Sequence, residues 1–374
     1  MKKIYYITAV FATLFLVGCG DGIDLPGVNV ETDLNKIPLP DNNVNLEQVE
    51  LKPSTEPMLH EGLHTEEDFQ RIRDKKAAGE EPWVSAYQLL VESQFSQKTA
   101  DTYPTEWIKR GISGDENYMN AARGATIVYQ QALRWKIEQD DEYAAKAVEN
   151  LNKWVQTCVG VTGNTNLSLA AGLYGYEFAI AGELLRDYGG WDRADFAAFQ
   201  NWLLKVFYPA NDDFLKRHHD TNALHYWANW CLCNIAAKMA IGIVTDRRDI
   251  YNEGIDHLQT GDTNGRLRRA IYHDYAPDYN FAQWQESGRD QGHTLMCVGL
   301  MGIICQLAWS QGDDFFAYDD NLFLRACEYA ACCNYTNETV PYTTYIWQKQ
   351  SQWGYPIPEE QTTLGGGKWI KRAI

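Results

Sequence analysis

Positive charge is in short supply in this chain. Lysine and arginine together number 33 against 50 aspartates and glutamates, a formal net charge of −17 over 374 residues. A field of that sign repels phosphate backbones, which excludes non-specific binding to nucleic acid. Strand patterning is also scarce: apolar and polar residues alternate only around Thr339 to Trp347, which argues against a sandwich or barrel. Metal-ligand spacing is missing too. Of nine cysteines, Cys231-Leu232-Cys233 and Cys332-Cys333 come nearest to a pair, and neither has zinc-type spacing or a second ligand pair. Beyond residue 17 no stretch reads as long and apolar enough for a transmembrane helix.

What is present begins at the N-terminus. Met1-Lys2-Lys3 is a short basic region, and Ile4 to Val17 is an apolar run too short for a comfortable membrane span. The two together read as a signal peptide over residues 1–18. The run ends in Leu16-Val17-Gly18-Cys19, which resembles a bacterial lipobox and implies cleavage before Cys19 and acylation of that residue. The expectation is an exported lipoprotein attached to a membrane through its N-terminal lipid, in the outer membrane on its periplasmic face or at the cell surface. Residues 19–58 are rich in Asn, Asp, Pro and Val without an amphipathic period and read as a tether. Removal of residues 1–18, which hold two lysines and no acid, takes the charge from −17 to −19. The other eight cysteines sit almost entirely in apolar helical stretches and read as small buried hydrophobes, with a disulfide from Cys332 or Cys333 left open.

Residues 59–374 read as one domain of successive helices. Thr65-Glu66-Glu67-Asp68 is a capping signal. Further helices are expected over Pro82–Phe95, Asn117–Gln139, Asp141–Cys158, Leu167–Tyr188, Arg193–Phe207, Thr221–Val244, Arg247–Leu258, Gln283–Gln311 and Asn321–Asn334. Turn signals separate them, Pro209 to Asp213 among these. Some ten helices joined as hairpins point to an all-α fold, an (α/α) toroid. No closing helix is legible after Trp353, which leaves an incomplete toroid as one form of it. The 13 Trp, 22 Tyr and 13 Phe are core by default, although sugar-binding clefts use the same residues.

Three constellations carry chemistry. On a helix from Thr221, the residues Asn222, His225 or Tyr226, and Asn229 share a face, just after the basic run Lys216-Arg217-His218-His219. Arg266, Arg268, Arg269, Tyr272, Tyr275 and Tyr279 form a second basic island between helices. The two islands would give the local positive charge that an acidic protein needs to hold a polyanion. In Trp284 to His293, the residues Glu286, Arg289, Asp290 and His293 share a helical face. They are either a self-satisfied ion network or the wall of a site.

The run His225-Tyr226-Trp227-Ala228-Asn229-Trp230, followed by Ala240-Ile241-Gly242 and Asp246-Arg247-Arg248-Asp249, resembles the alginate lyase family of helical toroids. That family carries Asn-Asn-His-x-Tyr-Trp, then Asp-Arg-Arg-Asp, then an arginine seven residues before a tyrosine. Arg268 and Tyr275 have that spacing, and Gln285 to His293 also resembles relatives of the family. The likeness spans roughly residues 60–335. It departs at Asn222-Ala223-Leu224-His225: aligned without a gap, the family histidine falls on Leu224.

The resemblance implies β-elimination at a 4-linked uronate. Arg268 and Asn222, with Arg289 in support, would neutralise the substrate carboxylate so that charge can build up in an enolate-like transition state. His225 would take the C5 proton, and Tyr275 would protonate the leaving O4. Arg266 and Arg269 compete with Arg268, Tyr272 and Tyr279 with Tyr275, and His218, His219 and His293 are the reserve bases. Trp227, Tyr226, Asn229, Arg269, Tyr272, Tyr279, Gln285, Glu286, Arg289, His293 and His219 are the expected substrate contacts, and an acidic polysaccharide is the expected partner. The scheme needs no metal or other cofactor. Two other readings stand beside it. One is a glycoside hydrolase using two of Asp220, Asp274, Glu286 and Asp290. The other is a non-catalytic glycan-binding lipoprotein. A metal held by His218, His219 and His293 is a weak third.

Overall fold

The computed structural model describes residues 54–335, 340–350 and 356–364. The signal peptide, Cys19 and nearly all of the tether lie outside them. The described chain forms two compact units. One comprises the residues up to His219 together with Cys233–Asp256; the other comprises Asp220–Leu232 together with the residues from His257 onward.

The first unit is built of packed helices. These are α1 (Glu66–Ala77), α2 (Trp83–Glu92), α3 (Tyr118–Glu138), α4 (Asp141–Thr157), α5 (Leu167–Leu185), α6 (Arg193–Val206) and α7 (Tyr208–Arg217). A short parallel pair, β1 (Trp107–Arg110) and β2 (Gly160–Gly163), runs beside them. The start of α1 is the capping box legible in the sequence: Thr65 Oγ1 accepts from Asp68 N, and Asp68 accepts from Thr65 N. Helix α5 is apolar nearly all round, and sixteen of its nineteen residues are buried, as expected of a helix covered on every side. Its Phe178 meets Trp154, Trp202 and Phe207 at ring distances of 5.2 to 6.1 Å. Gly182 of α5 lets Phe199 of α6 come close; a Cβ there would lie 2.2 Å from the ring.

Helix α7 replaces the expected turn at Pro209 to Asp213. Proline is the second residue of that helix, where the missing N–H has no intrahelical acceptor to serve. Asp212–Lys216 and Asp213–Arg217 then pair one turn apart. After α7, His218, His219 and Asp220 adopt left-handed backbone angles, with φ of 49°, 52° and 58°. The next regular helix, α8, spans Ala228–Val244, so the expected helix from Thr221 is corrected to a loop over 221–227. Helix α9 (Arg248–Thr260) follows.

The second unit holds the single turn α10 (Leu267–Ala270), an antiparallel pair of β3 (Ile271–Asp274) and β4 (Ala282–Trp284), a 3₁₀ turn over Gln285–Gly288, α11 (Gln291–Ser310), α12 (Tyr318–Tyr335), and the hairpin of β5 (Tyr345–Gln350) with β6 (Pro356–Gln361). The expected helix from Gln283 begins only at Gln291, because Asp290 is extended and its side chain caps His293 N at 2.8 Å. The expected strand from Thr339, itself outside the described residues, is Tyr345–Gln350. By length and composition α11 could cross a membrane, contrary to the sequence reading, but most of its apolar window is buried inside the protein. Cys297 and Cys305 are in that core, and Cys327 alone among the eight described cysteines is only partly buried.

One partly buried histidine makes the first unit sensitive to acid. His64 lies 2.5 Å from Tyr129 Oη, and burial lowers its pKa to about 4, against a smaller opposing pull from Asp68. The unfolded chain takes up this proton near pH 6.5 and the folded chain only near pH 4. Stability is therefore full above pH 6.5 and falls as pH drops between those values, by at most about 3 kcal/mol. Glu177, raised to about 8 by burial, acts in the opposite direction, losing stability as pH rises from the ordinary carboxylate range to about 8. Denaturant titrations of wild type and His64→Gln at pH 7 and pH 4.5 isolate the histidine: wild type is expected to lose more stability on acidification than the variant.

Candidate active site

The residues from Asp220 to Leu232 and from His257 onward bring most of the expected site together in one unit. Loop 221–227 carries Asn222, His225, Tyr226 and Trp227. Asn222 Oδ1 accepts from Leu224 N at 3.0 Å and its carbonyl accepts from His225 N at 3.1 Å. This side-chain turn competes with helix formation. Asn222, His225 and Asn229 therefore do not share a helical face, as the sequence reading expected.

Side chains from elsewhere in the unit hold the loop. Asn264 Nδ2 donates to the carbonyls of Leu224 and Tyr226 at 2.9 and 2.8 Å. Trp347 Nε1 donates to the His225 carbonyl at 2.7 Å. The His225 imidazole stacks on Trp347 with centroids 6.1 Å apart and planes 12° apart, and Trp227 stacks on the same indole at 4.4 Å. Tyr226 is buried against Trp230 at 4.7 Å.

The start of α8 is capped from the 3₁₀ turn. Ala228 N donates to Gln285 Oε1 and Asn229 N to Glu286 Oε1, each at 3.0 Å. These are helix N–H groups that no carbonyl of the helix can reach, and a carboxylate here also meets the positive end of the helix dipole. Glu286 is fully buried. Burial pushes its carboxyl upward, while the charge of Arg289 and the Asn229 N–H pull it back. Arg289 Nη1 lies 3.2 Å from Glu286, and its guanidinium sits 5.3 Å over the Trp227 ring. His293 Nδ1 lies 2.6 Å from Asp290. Burial would raise Asp290, but hydrogen bonds and charge from His293 outweigh it and hold the group at about 2. Glu286, Arg289, Asp290 and His293 thus form an ion network arranged around a helix start, not the single helical stripe expected. Asn229 is buried, and its Oδ1 meets no donor among the described residues.

Tyr275 lies just after β3. Its hydroxyl donates to Gln283 Oε1 at 2.5 Å and lies 3.1 Å from Thr343 Oγ1. Burial raises its pKa, against hydrogen bonds from Thr343, so it keeps its proton through the neutral range. Tyr272 and Tyr279, its rivals, are exposed.

The basic islands are compensated more fully than the sequence reading expected. Arg268 forms an ion pair with Asp319 and lies 3.9 Å from Asp274. Arg269 donates to the Asp262 carbonyl. In the first unit Lys216 and Arg217 pair with Asp212 and Asp213. A chain this acidic supplies a carboxylate to most of its cations. Arg266 makes no ion pair among the described residues, and its Nε has no acceptor there. His219, in the first unit, lies 3.0 Å from Ser168 Oγ, and His218 is buried against Phe214 at 5.0 Å.

Asn264, Gln283, Thr343, Tyr345 and Trp347 are not among the site residues expected from the sequence. Gln283 stood only as the start of a helix, and Trp347 only as part of a strand-like stretch. A polar or aromatic residue that acts through one distant hydrogen bond leaves no periodic signal.

Residues 73–338 match the family described as alginate lyase. No curated protein sequence matches the chain. Among solved structures, an alginate lyase from Bacteroides ovatus is similar at 14% identity and a TM-score of 0.51, over 72% of this chain and 82% of that one. Alginate lyase A1-III from Sphingomonas species A1 is similar at 13% identity and a TM-score of 0.52, over 74% and 79% of the two chains. A histidine-to-alanine variant of alginate lyase A1-III complexed with a tetrasaccharide matches at 14% identity and a TM-score of 0.57, over 76% and 82%. At these identities the likeness is one of fold, and it bears out the expected all-α class built from helical hairpins. With the family match spanning well over half of its length, the chain belongs to the alginate lyase family.

Proposed function

We propose that this polysaccharide lyase cleaves a 4-linked polyuronate of the alginate class, with the His225 loop and Tyr275 as its proton-transfer groups. The match to the alginate lyase family carries the reaction class. His225, Tyr275, Arg268, Asn222 and Trp227 all belong to one compact unit, which supports the assignment of the groups.

The chemistry follows from the substrate. The C5 proton is weakly acidic, and the adjacent carboxylate makes it less so. A cation beside that carboxylate lets charge spread into it as the C5–H bond breaks. Arg268 fills this role, with Arg266 beside it as the less compensated charge. The His225 imidazole accepts the C5 proton. The C5 electron pair forms the C4–C5 double bond as the C4–O4 bond breaks, and the Tyr275 hydroxyl gives its proton to O4. The raised pKa of Tyr275 suits a group that must arrive protonated.

The hydrolase alternative needs two carboxylates free to act as acid and base. Of its four candidates, Glu286 is held by Arg289, Asp290 by His293 and Asp274 by Arg325 at 2.7 Å; with Asp220 as the fourth, no second carboxylate completes an acid–base pair. We further propose that the protein is exported and anchored through a lipid on Cys19, on the strength of the Leu16-Val17-Gly18-Cys19 motif. Globomycin, which blocks lipoprotein signal peptidase, should then retain the larger precursor, and the wild type but not Cys19→Ala should incorporate labelled fatty acid. A wild-type protein that incorporates no fatty acid would sink the anchor.

The function is tested by incubating the purified protein with polymannuronate, polyguluronate and glucuronan and following the near-ultraviolet absorbance of unsaturated uronates. A rise is expected with at least one of them. His225→Gln and Tyr275→Phe should each lower the rate by about 10²-fold or more. Reducing ends formed without absorbance would instead identify a hydrolase, and full activity in both variants would refute the assigned groups.

A further inference from the structure

The segment 343–347 lies beyond the residues that match the family, and three alternate residues in it contact three separate parts of the site. Thr343 N donates to Gln283 Oε1 at 2.8 Å and its carbonyl accepts from Gln283 Nε2 at 3.0 Å, while its Oγ1 lies 3.1 Å from the Tyr275 hydroxyl. Tyr345 is buried; its hydroxyl donates to the Gln285 carbonyl and accepts from Gly288 N at 3.2 Å. Trp347 donates to the His225 carbonyl and stacks on both His225 and Trp227. Between them Ile346 is exposed, as the two-residue period of a strand requires.

We propose that Thr343, Tyr345 and Trp347 are positioning residues for the elimination, one extended segment that holds the Tyr275 hydroxyl, the cap of α8 and the His225 loop in a single register. The proposal rests on the functional reading above and adds to it the element that fixes acid and base relative to each other. Loop 221–227 has no regular structure, and the carbonyls of Leu224, His225 and Tyr226 take their donors from Asn264 and Trp347, outside the loop. Proton transfer is sensitive to displacements of the order of 1 Å. Strand β5 answers both needs: its rise of about 3.3 Å per residue sets the anchors at 345 and 347 roughly 7 Å apart, and Thr343 lies two residues before the strand begins. A one-residue slip would turn Ile346 inward and remove the Tyr345 and Trp347 contacts together. Pairing of β5 with β6, Tyr345 opposite Gln361 and Trp347 opposite Glu359, guards against that slip.

The test uses the full chain. Trp347→Phe keeps an aromatic ring and removes the N–H, and Tyr345→Phe removes only the hydroxyl. On polymannuronate each should lower kcat by roughly ten- to a hundredfold while KM stays within about twofold. Ile346→Thr, on the opposite face, should behave as wild type. Unchanged kcat in both Trp347→Phe and Tyr345→Phe, with circular dichroism showing both folded, would overturn the proposal. A second readout does not need turnover. The His225 ring protons, identified by their loss in His225→Gln, should move downfield in the nuclear magnetic resonance spectrum of Trp347→Ala as the stacked indole is removed. Ring protons that stay in place would also overturn the proposal. A wild type inactive on every polyuronate, with the ring protons shifting as expected, would count against the proposed function and leave the positioning strand supported.

Discussion

The carboxylate of Glu286, fully buried, accepts the backbone N–H of Asn229 and holds Arg289. Beside it Gln285 accepts from Ala228 N. Burying a carboxylate is costly unless it is paired and hydrogen-bonded, and here a helix start and a guanidinium do both. The position of that carboxylate decides where α8 begins, hence where the loop carrying His225 ends. It also places Arg289 over Trp227. Removing the carboxyl group would leave a partly buried arginine and an unmet N–H in the same place, so the helix start, the loop and the arginine depend on one group.

Much of the fold was legible because it is written locally. The capping box at Thr65 is read from four consecutive residues, and α3, α4 and α6 end within a residue or two of where the apolar stripe stops. Misreadings arose where the deciding contact is remote or the local rule has an exception. Proline at the second position of α7 acted as a helix starter, not a breaker. The start of α8 was placed too early because its caps come from residues 57 positions away. The charged run before α11 was read as helical, but an extended Asp290 caps the helix instead.

The site was legible as residue types more than as geometry. The arginine-to-tyrosine spacing led to Tyr275, and the structure shows its hydroxyl held between Gln283 and Thr343. The same reading expected two islands of available positive charge, but Asp319, Asp212 and Asp213 neutralise much of them. Composition gives the sign of a region and not its pairing. The one-residue displacement of His225 from the family pattern falls in the loop that leaves helical geometry, where spacing along a helix is no guide. Its carbonyl accepts from the Trp347 indole, 122 residues away in the chain.

The central claim is that the chain breaks a polyuronate by elimination. Mass spectrometry of the products tests it most directly. Elimination releases a fragment bearing a C4–C5 double bond, one water lighter than the saturated oligomer of the same length. Digests of polymannuronate, polyguluronate and glucuronan should contain that lighter series from at least one polymer. A digest made only of saturated oligomers, each having gained water at the cleaved bond, would contradict the account.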